Sequence, residues 1–358
     1  MPRAKQSALA CGSFIVLSVA GCSARLDLGH DLSAEPLPPG AQTAPDSPTT
    51  TLCVGTPCFV GPVQNLATSD GAAEGLAIDE TSLFWAASSA EALMVTLKDG
   101  TATTKIVTPP GGPYGVAVDD MNVYFTGNLV GYVATATKQL PKSLAPKSTK
   151  IDLLVSGEPN PQGVVVAAEG VYFADQDAGT VKRVSLDGTL VETLATGISS
   201  GCDLALDPQF LYYSDSGLGE IHAIDRQSGA STLLGAGLRH PMAPLPRGQA
   251  LYFVELGTEA ASYADGRLLR MDRGGGPIEV LLEKLDAPRA LATDGSAVYL
   301  GARGTELNGF LGKIVRLGDD GQVSTLAVNQ AEPFAVAVDD AAVYWTANAD
   351  NGLYAVER

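Results

Sequence analysis

The sequence predicts an all-β protein, and three observations carry that prediction. The first is a motif repeated seven times. A central aromatic falls at Phe84, Tyr124, Tyr172, Tyr212, Tyr252, Tyr299 and Tyr344, and eleven residues before each stand Ala73, Pro113, Pro161, Gly201, Pro241, Pro288 and Pro333. The fullest copies read as a proline-headed apolar strand, an Asp turn and an aromatic strand: residues 113–119 with 123–125, and 333–339 with 343–345. The second is the spacing of successive aromatics, 40, 48, 40, 40, 47 and 45 residues. Four short strands joined by tight turns need about this length, which is the period of a β-propeller blade. The third is an orphan strand. The seventh unit reaches the end of the sequence after three strands, whereas residues 62–68 precede the first unit and resemble fourth strands such as 191–196 and 323–328. Pairing of 62–68 with 352–358 would complete the last blade and leave no open sheet edge. The predicted fold is a seven-bladed β-propeller of four-stranded blades.

The elements follow in order. Arg3 and Lys5 precede an apolar stretch from Ala8 to Ala20, too short to span a bilayer comfortably, so residues 1–21 read as a secretory signal. Its end, Leu17-Ser18-Val19-Ala20-Gly21-Cys22, resembles a bacterial lipobox. That resemblance implies cleavage before Cys22 and lipidation of its thiol. Ser23 rather than Asp follows, which implies the outer membrane, and no Arg-Arg pair points to twin-arginine export. Residues 22–61 form a Pro-, Ala-, Thr- and Ser-rich tether without periodicity, on the order of 35 Å end to end. Cys53 and Cys58 flank the turn-forming Val54-Gly55-Thr56-Pro57; in an oxidising compartment they are expected to form a local disulfide, leaving Cys202 unpaired. The propeller takes residues 62–358. Blade three displays all four strands, at 164–166, 171–174, 180–186 and 190–196, with Asp187-Gly188 as the last hairpin turn.

Composition limits the function. Forty acidic residues against 23 basic ones give a formal charge of −17, a surface that repels phosphate backbones and anionic membranes. Nucleic acid is therefore not an expected partner, and membrane contact is expected through the N-terminal lipid alone. With 45% apolar and 18% charged residues the chain suits a folded core, and 40 glycines with 22 prolines suit many short strands.

Tyr172-Phe173-Ala174-Asp175, followed by residues 179–188, resembles the YWTD repeat of low-density-lipoprotein-receptor-type propellers; Tyr212-Tyr213-Ser214-Asp215 and Tyr344-Trp345-Thr346-Ala347 are weaker versions. The resemblance covers residues 62–358 and overlaps NHL-type repeats. It implies the fold, but the copies number seven rather than six and only two keep the Asp. It implies little about function, because propellers host both binders and enzymes.

Repeat logic separates scaffold from site. Asp79, Asp119, Asp207, Asp294 and Asp339, each five residues before an aromatic, read as turn-capping carboxylates, and the aromatics read as inter-blade core. Positions that vary between blades carry more information. The residue after each proline position is Glu74, Tyr114, Gln162, Cys202, Met242, Arg289 and Phe334, expected to ring one mouth of the central channel. The loop between strands two and three is long only in blades five (257–266) and six (301–312), where it offers Glu255, Tyr263, Arg303 and Asn308 among its binding groups.

Candidates for catalysis are few. Propellers resembling streptogramin lyase hold a metal with histidine and glutamate near the pore; Glu220-Ile221-His222 resembles that spacing but falls on a third strand and is expected to be structural. Asp175-x-Asp177-x-Gly179 and Asn348-x-Asp350-x-Gly352 faintly resemble calcium loops and are better read as turns. No catalytic residue, metal or cofactor is assigned. The sequence favours a monomeric, lipid-anchored envelope propeller that binds a protein or glycan without chemistry. The alternative is a metal-dependent enzyme of the lyase or lactonase type at the channel, with Glu74, His240 and Arg289 as its candidates.

Overall fold

The computed structural model describes residues 52–53, 56–57, 61–138, 150–200 and 203–358. The signal segment, Cys22, Cys58, Cys202 and the side chain of Cys53 lie outside them, so lipidation and the disulfide rest on sequence. The backbone of Leu52–Cys53 does pair with Thr56–Pro57.

Seven antiparallel four-stranded sheets form a ring. Their innermost strands are Ala73–Ile78, Val116–Val118, Pro161–Ala167, Leu204–Leu206, Pro241–Arg247, Pro288–Thr293 and Pro333–Val338, and each lies beside the next around the circle. The seventh sheet closes as the orphan strand requires. Gln64–Thr68 lies on Gly352–Glu357 with Gln64 opposite Ala355 and Thr68 opposite Gly352.

The seven central aromatics are buried. They and their neighbours join blades: Phe84 of blade one clusters with Val123 and Phe125 of blade two, and Trp85 with Phe334, Tyr344 and Leu353 of blade seven. Apolar residues on both faces of the aromatic strands follow from this placement between two other sheets.

The turn aspartates bind each of their blades to itself, and four of the five bind it to the next. Asp119 Oδ1 accepts the backbone N–H groups of Met121 and Asn122, and its Oδ2 accepts the Tyr124 hydroxyl at 2.7 Å. Asp207, Asp294 and Asp339 repeat the pattern. A cation from the following blade completes it: Lys138 on Asp79 (2.9 Å), Arg273 on Asp207 (2.6 Å), Arg358 on Asp294, and Lys98 on Asp339 (2.8 Å) across the closing junction. In blade five the aspartate position holds Arg247, and its partner in blade six is Asp319 at 2.5 Å, the same clasp with charges exchanged. Burial works against ionisation of Asp79, Asp207, Asp294 and Asp339, yet these bonds hold all four below the usual carboxylate range.

Candidate functional site

The innermost strands break register just after the proline position. The breaks lie between Ala73 and Leu76, Pro161 and Val164, Met242 and Leu245, Pro288 and Ala290, and Pro333 and Val336. A bulge re-aims a side chain and leaves backbone groups out of the ladder. Hydroxyls take up those groups. Thr126 Oγ1 accepts the Gly115 N–H and donates to the Gln162 carbonyl of blade three, while Thr346 Oγ1 accepts the Ala335 N–H and donates to the Glu74 carbonyl of blade one at 2.6 Å. Adjacent inner strands also bond directly, Gly75 N–H to the Tyr114 carbonyl at 3.1 Å. A Cβ on Gly75 would lie 2.3 Å from that oxygen, so this position must stay small.

Glu74, Gln162, Arg289 and Phe334 fall within these bulges, Met242 stands at the edge of its own, and Tyr114 just precedes the inner strand of blade two. Glu74, Tyr114, Gln162, Met242, Arg289 and Phe334 are all buried, and three of them meet at the axis. Tyr114 of blade two stands edge-on to Phe334 of blade seven (6.1 Å between centroids), past the intervening blade. Phe334 in turn lies under the Arg289 guanidinium at 4.2 Å. Tyr114, Phe334 and Arg289 therefore form a plug on the axis rather than an open rim.

One member escaped the sequence reading. Asp203 is buried, and its Oδ2 accepts the Ala243 N–H of the next blade at 2.7 Å. A signal existed: two residues beyond the proline position the other copies hold Gly75, Gly115, Gly163, Ala243, Ala290 and Ala335. A carboxylate where six copies keep a small residue marks a departure from scaffold. Burial pushes Glu74 up to about 8 and Asp203 up to about 6, against the pull of Arg289, and burial lowers Arg289 to about 9. Burial thus favours the neutral forms of Glu74 and Asp203 and works against the charge on Arg289.

The long loops stand on the face where the inner strands begin, since Leu256 N–H bonds the His240 carbonyl and Arg303 N–H the Ala287 carbonyl. Each is built, not slack. In blade five Asp265 accepts the Thr258 N–H (2.7 Å) and Arg239 Nη1 (2.7 Å), beside a short 3-10 turn at Glu259–Ala261. Glu255 is fully buried between Arg239 (3.0 Å) and Arg267 (2.6 Å). Tyr263 turns at φ +60° and offers its carbonyl to Ala287 of blade six. In blade six Asn308 Oδ1 accepts the Thr305 N–H at 2.9 Å, and Arg303 pairs with Glu332 (3.0 Å) beneath the Phe310 ring (4.8 Å). Glu255 and Asn308 are thus engaged in holding their loops, while Leu307 (74% exposed) and Leu311 (48% exposed) face solvent.

The histidines are separated. His240 Nδ1 lies 3.1 Å from the Ser216 carbonyl and its ring meets Tyr263 edge-on. His222 stacks on Tyr213 with its Nε2 2.9 Å from Glu220. The Glu220–His222 pair does not fit a metal centre: the imidazole nitrogen faces its own glutamate, and among the described residues no three His, Cys, Asp or Glu side chains are grouped to hold an ion. In the Asp-x-Asp loop Asp175 Oδ1 accepts the Asn160 and Ala178 N–H groups, and Asp177 accepts the Asn160 amide, which is turn chemistry.

The fold and this axial arrangement define a seven-bladed β-propeller. No protein-family model matches the chain, and no curated protein matches it in sequence. Solved structures do match. Virginiamycin B lyase from Staphylococcus aureus is similar with a TM-score of 0.66 and 18% identity, over 83% of this chain and 98% of that one. A streptogramin B lyase gives 0.67 and 15%, over 83% and 98%. Hydrazine synthase of Kuenenia stuttgartiensis gives 0.63 and 15%, over 82% and 97%. At such identities the likeness is one of fold.

Proposed function

We propose that the chain is a lipid-anchored envelope propeller that binds its partner without chemistry, as a monomer, through the long loops of blades five and six. One observation carries this reading. Those two loops are pinned by their own ion pairs and turns, and the second raises Leu307 and Leu311 into solvent beside charged groups. In blade four the same connection is a tight turn, closed by the Gly219 N–H on the Asp215 carbonyl. Two rigid loops, one with an apolar tip in a polar surround, suit a protein surface better than a glycan.

The test replaces residues 258–264 and 305–310 by turns like that of blade four. Site-specific cross-linkers at 307 and 311 in the untrimmed protein should capture one defined envelope protein, and trimming should abolish its co-purification. Retention of the partner after trimming would refute the loop assignment. A stoichiometric divalent ion, with ester- or lactone-cleaving turnover lost on chelation, would overturn the binding reading in favour of an enzyme at the channel.

A further inference from the structure

The axial plug leaves hydrogen-bonding groups unmatched. Arg289 is fully buried, yet its Nε, Nη1 and Nη2 find no acceptor among the described residues. Glu74 Oε2 and Asp203 Oδ1 are likewise buried and unmatched. These atoms come from blades six, one and four. The two carboxyl groups are near enough to Arg289 to feel its charge, and no ion pair joins either to it. Buried donors and acceptors left without protein partners at a shared axis are the groups that an interposed water or ligand satisfies. A buried guanidinium without acceptors is strongly unfavourable, and an occupant that takes its N–H edges removes that cost.

We propose that the axis is a binding site for a small organic carboxylate, held by the donor fork of Arg289 with the Phe334 ring behind it. Phe334 covers a face of the guanidinium and so leaves the in-plane N–H edges as its contact surface, the geometry a carboxylate matches with two parallel bonds. Glu74 and Asp203, whose protonated forms burial favours, stand on the same axis, with Glu74 as a further donor. The site is distinct from the loop tips, although Arg303 and Glu332 lie within charge range of Arg289: it selects by charge and size, and its occupant is enclosed.

The full chain is the material for the test, and formate and acetate are the probes, at constant ionic strength balanced with chloride. Formate or acetate should raise the unfolding midpoint saturably at millimolar concentrations, and 13C-formate resonances should broaden on addition of protein. Arg289→Met should lose both effects while still unfolding cooperatively. An unchanged midpoint together with unbroadened formate in the wild-type protein would overturn the proposal, leaving ordered water as the occupant. So would an equal midpoint shift in Arg289→Met. Should that variant not fold, the formate line width in wild-type protein, competed by acetate and not by chloride, decides alone. Loop trimming should leave formate binding unchanged, so this site and the loop site fail separately.

Discussion

Thr346 offers a clean measure of what holds the ring shut. Its fully buried hydroxyl bridges blade seven to blade one, accepting the Ala335 N–H at 3.2 Å and donating to the Glu74 carbonyl at 2.6 Å. Thr346→Val keeps shape and volume and removes both bonds, leaving a buried donor and a buried acceptor without this partner. At roughly 1–2 kcal/mol for each such loss, the lower part of the usual range, the variant should lose about 2–4 kcal/mol. For a domain of this size about 2–3 °C per kcal/mol applies, giving a midpoint lower by about 4–12 °C. Thr346→Ser, which retains the hydroxyl, should recover most of the difference. The assay is urea unfolding followed by tryptophan fluorescence, checked by calorimetry; Trp85 and Trp345 both lie buried near this junction. A Thr346→Val midpoint equal to wild type, with an unchanged m-value, would refute the bridge as a determinant of closure.

Other outcomes follow from the same structure. Glu74 and Asp203 have folded pKa values raised to about 8 and about 6, so the folded state holds their protons more tightly, and stability should fall as pH rises from about 4.5 to 8. The clasp aspartates, held low, add stability that is present above pH 4 and lost below it. Urea midpoints should therefore be higher at pH 5 than at pH 8, and Glu74→Gln should flatten the decline; a midpoint that rises between those values contradicts the assignment. Gly75→Ala drives a Cβ against the Tyr114 carbonyl, a backbone atom that cannot move aside, and should cost about 3 kcal/mol or prevent folding, read by circular dichroism. Leu186 occupies in blade three the place of Lys98, Lys138, Arg226 and Arg358, fourteen residues after the aromatic. Leu186→Lys should supply Asp119 with the clasp it lacks and add up to about 1 kcal/mol at low salt, a gain that should vanish in 1 M NaCl.

The engagement of Glu255 and Asn308 shows where reading residues singly stops. Both stand in variable loops and carry groups suited to ligands. Glu255 is nevertheless committed to two arginines, and Asn308 to the turn that it caps. Which polar groups a loop spends on its own shape depends on side-chain reach across turns, and no spacing rule supplies that.

What the amino-acid sequence determined by itself is the repeat architecture: seven blades, their strand order, the turn aspartates and the closing strand at 62–68. These are local in origin. Each motif copy contains its own strand pattern and turn, so the periodicity along the chain is the periodicity around the ring. Only the tertiary structure decided that Glu74, Asp203 and Arg289 share one buried axis, and that Tyr114, Arg289 and Phe334, expected to rim a channel, pack together on it. They lie in different blades, far apart in the chain, and what brings them together is ring closure plus a bulge in the inner strands. The physical reason is that a repeat encodes how neighbouring strands pair, whereas the occupancy of the axis is set by the summed size and charge of all seven inner positions at once.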